Sequence, residues 1–519
     1  MKHAPRELTP DEVWNPCDPA LFGFETTRSL PAEVSIIGQE RAVQAIDFGV
    51  NIAAFGFNIY ALGYAGTGRT TTIHTFLKEV AAGQPVPPDV VYVNNFQEPN
   101  RPRAIDLPPG VAVRFRRGMR ELVTDLLRDI PRTFESEDYE TQRQQIVRRM
   151  QEQRNQALAE LEQKATEEGF AVLKSATGFV VAPVLNGQVL SPEAYLQLDT
   201  ATQASIEERQ ERLHADMADT MRLIRSLDKE TKKRLQEFDR QIADFAAAHL
   251  IDDLRQEYGH IEEVGAYLAE VQADVVDNVG GFREDEDGDT GLAAAVRAGQ
   301  RHGFLTRYQV NLLVDNGGLQ GAPVIFEPNP TYGNLAGRIE HRSELGALVT
   351  DFAMIKAGAL HRARGGFLVV EMEGLLANAL AWEALKRTLK NRRIRIEEAA
   401  SQQLISTPSL EPEPISFDGK VVLIGDPMTY YLLQDYDQDF RKLFKVQADF
   451  GDDFRRTAEA MEDYARFIAA RCHQESLLPF DATAVARVVE FGSRLAEHQN
   501  KLSARFGDIA DVVREASFW

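Results

Sequence analysis

The chain has 519 residues and a formal charge of −21, with 44% hydrophobic residues and only two cysteines. The length allows roughly two to four domains with ordinary buried cores. The acidic balance argues against a surface tuned as a whole to nucleic acid or anionic lipid. Cys17 and Cys472 lie too far apart in sequence to indicate a disulfide framework or a zinc site. Residues 1–14 lack the apolar core of a signal peptide. We therefore expect a cytoplasmic protein without a membrane span.

The chain divides into five segments of different character. We predict an N-terminal arm at 1–35 and the first part of an α/β core at 36–110. A helical insertion follows at 111–305, then the second part of the core at 306–452 and an α-helical lid at 453–519. In the first core part, an apolar strand runs into a glycine loop and a helix, and 90–95 reads as a second strand of the same parallel sheet. The last helix has no stop signal before Trp519, so we expect the sequence to be one part of a longer polypeptide.

The segment 111–305 contains two long, highly charged stretches with almost no glycine or proline. In the second stretch, apolar residues from Met217 to Phe245 recur three or four positions apart, which predicts an apolar stripe on a long helix. Between the two stretches, 169–190 reads as a small β-hairpin. We interpret the segment as a helical hairpin with a knob at its tip, and a role in gripping or gating a partner is compatible with that.

The strongest short motif is GYAGTGRT, which begins at Gly63 and has the spacing of a phosphate-binding loop between a strand and a helix. Gly63, Gly66 and Gly68 let backbone N–H groups close around phosphate oxygens, and the helix N-terminus adds its positive dipole end. Thr70 is the candidate Mg²⁺ ligand. Arg69 stands where lysine is expected, and its planar fork is not equivalent to a compact ammonium. The alternative is a plain glycine turn between strand and helix.

A second motif, GGFLVVEMEG at 365–374, is an apolar strand that ends in an acid. Glu371 lies where a carboxylate that holds Mg²⁺ is expected to face the phosphate loop. The next residue, Met372, cannot orient a water for hydrolysis, and Glu373 shares the strand face of Glu371 rather than replacing it. Nucleotide binding without efficient hydrolysis is therefore a serious alternative to turnover.

Three further residues are candidates for contact with the γ-phosphate. Asp426 ends the strand KVVLIG and could sense the phosphate. Arg441, in a basic turn, could reach the nucleotide of a neighbouring subunit as an arginine finger, although an ordinary solvated turn explains it equally well. Arg505 begins the last helix and could fold onto the phosphate from the lid.

These pieces resemble the AAA+ ATPases, on the strength of IGQERA at 37–42, the glycine loop and the lid arginine. The stretch NPTYGNLAGRIEHRSELGALVTDFAMIKAGALHRARGGFLVVEMEGLL at 329–376 is similar to the Lon-related ATP-dependent proteases, which carry a long helical insertion in the ATPase module. The resemblance covers essentially the whole chain. It implies a P-loop core of parallel strands with helices on both faces, interrupted by the insertion and followed by the lid.

The resemblance also implies a function. It implies ATP and Mg²⁺ as cofactors and a hexameric ring of identical subunits that admits unfolded polypeptides. The ring passes them to a Ser-Lys peptidase domain that follows the lid in the same polypeptide. Ile37 and Gly38 resemble the segment that flanks adenine. Tyr332 resembles the aromatic residue of a pore loop that grips substrate, although a buried or capping tyrosine is the alternative.

Two other functions remain open at this stage. One is a nucleotide-silent gate, since Arg69 and Met372 depart from the motor pattern and one branch of Lon-like proteases is regarded as ATP-independent. The other is a DNA-handling ATPase of the SMC type, which also inserts a coiled coil. Four features count against the SMC alternative: no LSGG-like signature precedes 365–374, the helices are short for SMC arms, a helical lid follows, and the chain is acidic.

Overall fold

The computed structural model describes residues 6–31, 36–175, 178–185, 187–283, 292–344, 347–397 and 410–519. Parts of the predicted arm, at 1–5 and 32–35, lie outside these ranges. The chain forms two compact units, one made of Met1–Arg116 with Gln309–Trp519 and the other of Arg117–Tyr308. Among the described residues, none of the helices combines the length and the apolar character needed to cross a bilayer.

The first unit is built around a sheet of five parallel strands. Its spatial order is Val446–Asp449, Ile59–Leu62, Lys420–Gly425, Phe367–Glu371 and Val324–Glu327. Successive residues of the central strands enter two different buried clusters, one on each face. Because both faces are covered, the strands read as continuous Val, Ile and Leu runs. The predicted α/β class with a parallel sheet is confirmed.

The predicted second strand pairs elsewhere. Asp89–Val93 forms an antiparallel three-stranded sheet with Arg103–Leu107 and Val310–Val314, in which Val93 lies opposite Val310. The central sheet instead takes Val324–Glu327, which follows the insertion. An apolar run predicts a strand but not the strand it pairs with. Here one pairing strand, Val310–Val314, lies more than two hundred residues further along the chain.

The lid and the arm pack together in the first unit. The lid helices are Ala458–Glu475, Ala482–Leu495 and Phe506–Phe518. Asp481 caps the second of them by accepting the Ala484 N–H at 2.8 Å. From the arm, Cys17 and Phe22 are buried in the lid core, and the Thr27 N–H donates to the Phe480 carbonyl at 2.8 Å.

The other helices of eight or more residues in the first unit cover the sheet or follow its strands. They are Glu40–Asn51, Arg69–Ala82, Ala379–Asn391 and Pro427–Tyr436. The helix Val111–Phe134 runs from the first unit into the second.

The second unit contains long helices and a small three-stranded sheet, where the sequence analysis expects a helical hairpin with a β-hairpin. Its long helices are Glu137–Glu167 and Thr200–Tyr258, and the latter has 59 residues and a length of about 88 Å. The sheet consists of Phe170–Ser175, Gly178–Leu185 and Gln188–Val189. Glu262–Asp277 and Leu292–Thr306 complete the larger helices.

The predicted apolar stripe is only partly right. Ile224 is buried, but Phe245 is 79% exposed. The buried positions near it are Ala243 and Ala247, on the part of the helix where Gln272 of the helix Glu262–Asp277 donates to Asp244 at 2.7 Å. Small side chains such as alanine let helices approach closely. The hydrophobicity of the residues alone does not show that the alanine positions, rather than Phe245, face the neighbouring helix.

An aromatic cluster supports the end of the central sheet. Phe440 is fully buried, with its ring centroid 5.6 Å from Tyr60, 5.3 Å from Phe444 and 6.4 Å from Trp382. We predict that Phe440→Ala lowers the free energy of unfolding by about 3–5 kcal/mol, because it removes these contacts and leaves a cavity.

Denaturant titration followed by the fluorescence of the nearby Trp382 measures this loss. Tyr436→Ala is the matched control, because Tyr436 is 84% exposed and its truncation should change stability by no more than about 0.5 kcal/mol. Equal effects of the two substitutions would contradict the prediction.

Candidate functional site

The candidate site lies at the carboxyl edge of the central sheet. Leu62, which precedes the glycine loop, pairs with Gly425, and the neighbouring residue Ile424 pairs with Glu371 on the next strand. The loop and the acidic residue are thus separated by one intervening strand, roughly 10 Å from strand axis to strand axis at ordinary spacing. Ligands of open parallel sheets bind beyond this edge.

The glycine loop has the backbone that its sequence predicts. Gly66 and Gly68 adopt φ values of 83° and 78°, which L-residues rarely tolerate. The helix begins at Arg69, and no side chain caps its amino terminus. The free N–H groups of a helix start and its positive dipole end favour an anion at this position. The loop therefore suits a phosphate group.

Arg69 does not extend freely toward such an anion. Its guanidinium donates to the carbonyl of Gly425, at the end of the adjacent strand. Burial lowers the pKa of Arg69, and the nearby Tyr60 and Asp426 act in the opposite direction. Glu371, which is also close enough to act on the guanidinium, raises this pKa as well. The arginine and the acidic strand end therefore occupy one crevice.

The predicted Mg²⁺ ligands are both exposed. Thr70 lies in the first helical turn after the loop, and Glu371 begins a short helix without capping it through its side chain. Within the described part of the chain, no three His, Cys, Asp or Glu residues cluster as a metal site. Mg²⁺ is commonly held by one or two protein ligands together with phosphates, so the two residues fit an ion that arrives with a nucleotide. Met372 is fully buried in the core.

Asp426 is occupied by a local structural role. Its carboxylate accepts the Thr429 N–H at 2.9 Å and the Thr429 hydroxyl, and so caps the helix Pro427–Tyr436. Burial raises the pKa of Asp426, but these hydrogen bonds outweigh it and the net shift is downward. The group is thus anionic near neutral pH and is held beside the crevice. Its predicted role as a γ-phosphate sensor stays a prediction.

The lid reaches the glycine loop. The Arg505 guanidinium lies 5.6 Å from the centroid of the Tyr64 ring and 3.9 Å from the Asp452 carboxylate. The Gly507 N–H donates to the carbonyl of Gly66 at 3.2 Å, and a Cβ on Gly507 would lie 3.2 Å from the Gly66 Cα. The predicted lid arginine and the predicted phosphate loop are therefore brought together.

The segment predicted to flank adenine packs against the lid. Ile37 is buried in the lid core, and Gly38 has a φ of 67°. A Cβ on Gly38 would lie 2.6 Å from the Phe454 ring, so only glycine fits. The Gln39 side-chain amide donates to the Gly451 carbonyl at 2.9 Å and accepts the Gly451 N–H at 3.0 Å. These contacts fasten the segment beside the crevice.

Two predicted residues lie apart from this cluster of contacts. Tyr332 is half-buried, and its hydroxyl accepts the Glu397 N–H at 3.1 Å. Its pore-loop role stays a prediction, which requires release from that contact. Arg441 is exposed in the last turn of the short helix Gln438–Leu443. A residue that acts on a neighbouring subunit is expected at the surface, so its role also stays a prediction.

Sequence reasoning missed Gly507 and Gln39. Gly507 stands two residues after the lid arginine in the first helical turn, where glycine is unfavourable, and that was a usable signal of close backbone approach. Gln39 carried no comparable signal, because its partner Gly451 lies more than four hundred residues further on.

Three family models match parts of the chain. Residues 320–451 match "LonB-like, AAA domain", and 479–519 match "Archaeal LonB, AAA+ ATPase LID domain". Residues 89–122 match "Lon-like LonC helical domain". The first match contains the acidic strand, Asp426 and Arg441, and the second contains Arg505 and Gly507. An AAA+ ATPase domain implies nucleotide binding.

Individual proteins give weaker similarity. The Archaeal Lon protease of Archaeoglobus fulgidus is 26% identical over 211 residues, which cover 40% of this chain and 33% of that protein. The chain thus spans about a third of the length of this curated relative. Two crystal structures of NtrX from Brucella abortus, one of them with ADP, cover 50% of this chain and 58% or 56% of theirs. They are 12% and 13% identical to this chain, and the TM-scores of 0.25 and 0.23 are too low to indicate a shared fold.

Three features of the site agree with the family matches: the glycine loop, the acidic strand at the same sheet edge, and the lid docked on the loop. The matches favour a Lon-like AAA+ assignment over the SMC alternative. The matched parts of the chain are similar to Lon-related AAA+ proteins.

Proposed function

We propose that this chain is the ATP-binding, substrate-admitting module of a Lon-like serine protease. It handles unfolded polypeptides for a Ser-Lys peptidase domain of the same polypeptide. The observation that carries the proposal is the strand register that places the end of Ile59–Leu62 and Glu371 at one edge of the sheet. In this function the loop N–H groups bind phosphates, while Thr70 and Glu371 hold Mg²⁺. Because Met372 is buried and apolar, ATP turnover is slow.

A ring of identical subunits is supported by the surface beside Arg441. The helix Pro427–Tyr436 exposes Met428, Tyr431 and Leu432, which lie three and four residues apart on one helical face. A large exposed apolar face is typical of a protein interface. When a neighbouring subunit packs on this face, Arg441 lies near the nucleotide that the neighbour binds. We propose a hexamer by analogy with the family, as we do the roles of Arg441 and Arg505.

The ATP-binding role predicts a difference between two adjacent threonines. Thr70 and Thr71 are both exposed in the first helical turn, but only Thr70 has the motif position. We expect Thr70→Ala to weaken Mg²⁺-dependent ATP binding at least about tenfold, and Thr71→Ala to change it less than about twofold. Calorimetric titration with and without Mg²⁺ measures both effects. Absence of Mg²⁺-dependent binding in the unmodified chain would remove ATP binding from the proposal.

The second candidate is a nucleotide-silent gate, and the Arg69 contact favours it. The arginine is bound to the Gly425 carbonyl and the Gly66 carbonyl is bound to the lid, so these two polar groups of the crevice already have partners within the protein. In a gate of this kind the packed crevice has only a structural role and binds no nucleotide.

The two candidates predict different effects of Arg69→Lys. In the ATP-binding protein the lysine restores a compact charge and removes the guanidinium contact with the Gly425 carbonyl, so we expect ATP hydrolysis to rise about threefold or more. Arg69→Gln, which keeps a hydrogen-bond donor but loses the charge, serves as the control and should lower ATP affinity. Steady-state phosphate release measures the rate. If neither variant nor the unmodified chain binds or hydrolyses ATP, the gate is the better description.

The lid contact gives a structural prediction. Gly507→Val places side-chain atoms against the Gly66 Cα, and we expect amide hydrogen exchange over 64–68 to rise at least about tenfold as the lid leaves the loop. Glu515→Val, on an exposed position of the same helix, is the control and should leave exchange unchanged. Equal exchange in all three proteins would show that the lid does not protect the loop.

A further inference from the structure

The small sheet of the helical insertion has an apolar face on each side. Its strands pair Phe170 with Pro183 and Val172 with Val181, and Phe170 and Val181 are buried against the helices below. The opposite side, here called the outer face, includes three apolar cross-strand pairs: Ala171–Ala182, Leu173–Val180 and Val184–Val189.

The outer face is both apolar and exposed. Leu173, Val180 and Val189 are 43%, 48% and 47% exposed. An antiparallel sheet with one solvated side ordinarily alternates apolar and polar residues. Here each residue of the three named pairs is Ala, Val or Leu, which is the pattern of a sheet that is covered on both sides. The outer face is therefore a contact surface.

Its size limits what it can bind stably. The exposed apolar area is on the order of 300 Å², comparable to a functional patch on a monomer. A stable interface between folded proteins buries about 800 Å² per partner. The face therefore suits a short, weakly held segment better than a folded partner.

The surrounding charge narrows the choice further. Residues 160–215, which contain the sheet and the adjoining helix ends, carry nine Asp and Glu against four Lys and Arg. A second copy of this acidic tip would meet like charge. A segment that carries lysine or arginine among its apolar residues would meet a tip of opposite net charge, and attraction of this kind acts over about 8–10 Å at physiological salt.

We propose that the outer face binds apolar, lysine- or arginine-bearing segments of non-native polypeptides. Such segments are exposed only while a polypeptide is unfolded, and three half-exposed aliphatic side chains hold them without demanding a fixed sequence. The inference rests on the proposed function in one respect, since that function makes unfolded polypeptides the material that the chain handles.

The test uses the full chain and a fluorescein-labelled synthetic 15-residue peptide of Leu, Val and Lys. The triple variant Leu173→Thr, Val180→Thr, Val189→Thr makes the outer face polar with residues that favour strands. Leu223→Gln is the control, because Leu223 is a 49% exposed residue on the shaft of the long helix. By fluorescence anisotropy we expect the Kd of the triple variant to rise at least about tenfold, and that of the control to stay within about twofold.

Charge is tested with a matched peptide in which Glu replaces Lys. We expect it to bind at least about fivefold more weakly at low salt, with the gap closing at about 0.5 M salt. Circular dichroism checks the fold of the variants. If the triple variant does not fold, Val180→Thr alone, which conserves shape, should raise the Kd about twofold to fivefold.

Two of the three outcomes below separate this inference from the proposed function. If the triple variant binds the peptide as the unmodified chain does, the outer face is not the site, while polypeptide handling stands. If the unmodified chain binds no peptide, both fail. If the triple variant instead dissociates an oligomer in sedimentation velocity with peptide binding unchanged, the outer face joins copies of the chain and the inference is overturned.

Discussion

Parallel pairing of three adjacent strands determines where the rest of the site can be. Lys420–Gly425 lies between Ile59–Leu62 and Phe367–Glu371, and its register with both aligns their carboxyl ends. The intervening strand also supplies the Gly425 carbonyl that holds Arg69. Because the strands are buried on both faces, a shift of register would move apolar side chains out of both core clusters. The crevice is therefore as rigid as the sheet beneath it.

The lid, the arm and the segment that begins at Ile37 behave as one layer around this crevice. Gln39 holds the chain at Gly451, just before the lid. Arg456 binds the carbonyls of Asn15 and Pro16 from the arm, at 2.7 and 3.2 Å. Movement of the lid relative to the loop must carry these attached segments along or break their hydrogen bonds. The arm thus takes part in positioning Arg505.

Local features of the site could be predicted from sequence, and long-range features could not. The loop at Gly66 and Gly68 depends on backbone freedom and spacing, which neighbouring residues encode. The placement of Asp89–Val93 depends on a strand that follows the insertion, so its sheet could not be inferred from an apolar run. The same holds for the contacts of Tyr332 and Asp426. Phe245 shows another limit of prediction from sequence. The spacing of apolar residues along a helix does not show which face of the helix a neighbouring element will cover.

The position of the insertion has a consequence for synthesis of the chain. The helical hairpin contains mostly local contacts, whereas Ile59–Leu62 must wait for Val422 and Val446 before it gains either neighbour in the sheet. Helices with short sequence separation form quickly, and pairing across hundreds of residues is slow. On a ribosome the hairpin can thus mature while the strand before it remains unpaired. The nascent strand is an aggregation hazard during that interval, so chaperone demand should concentrate in the first hundred residues.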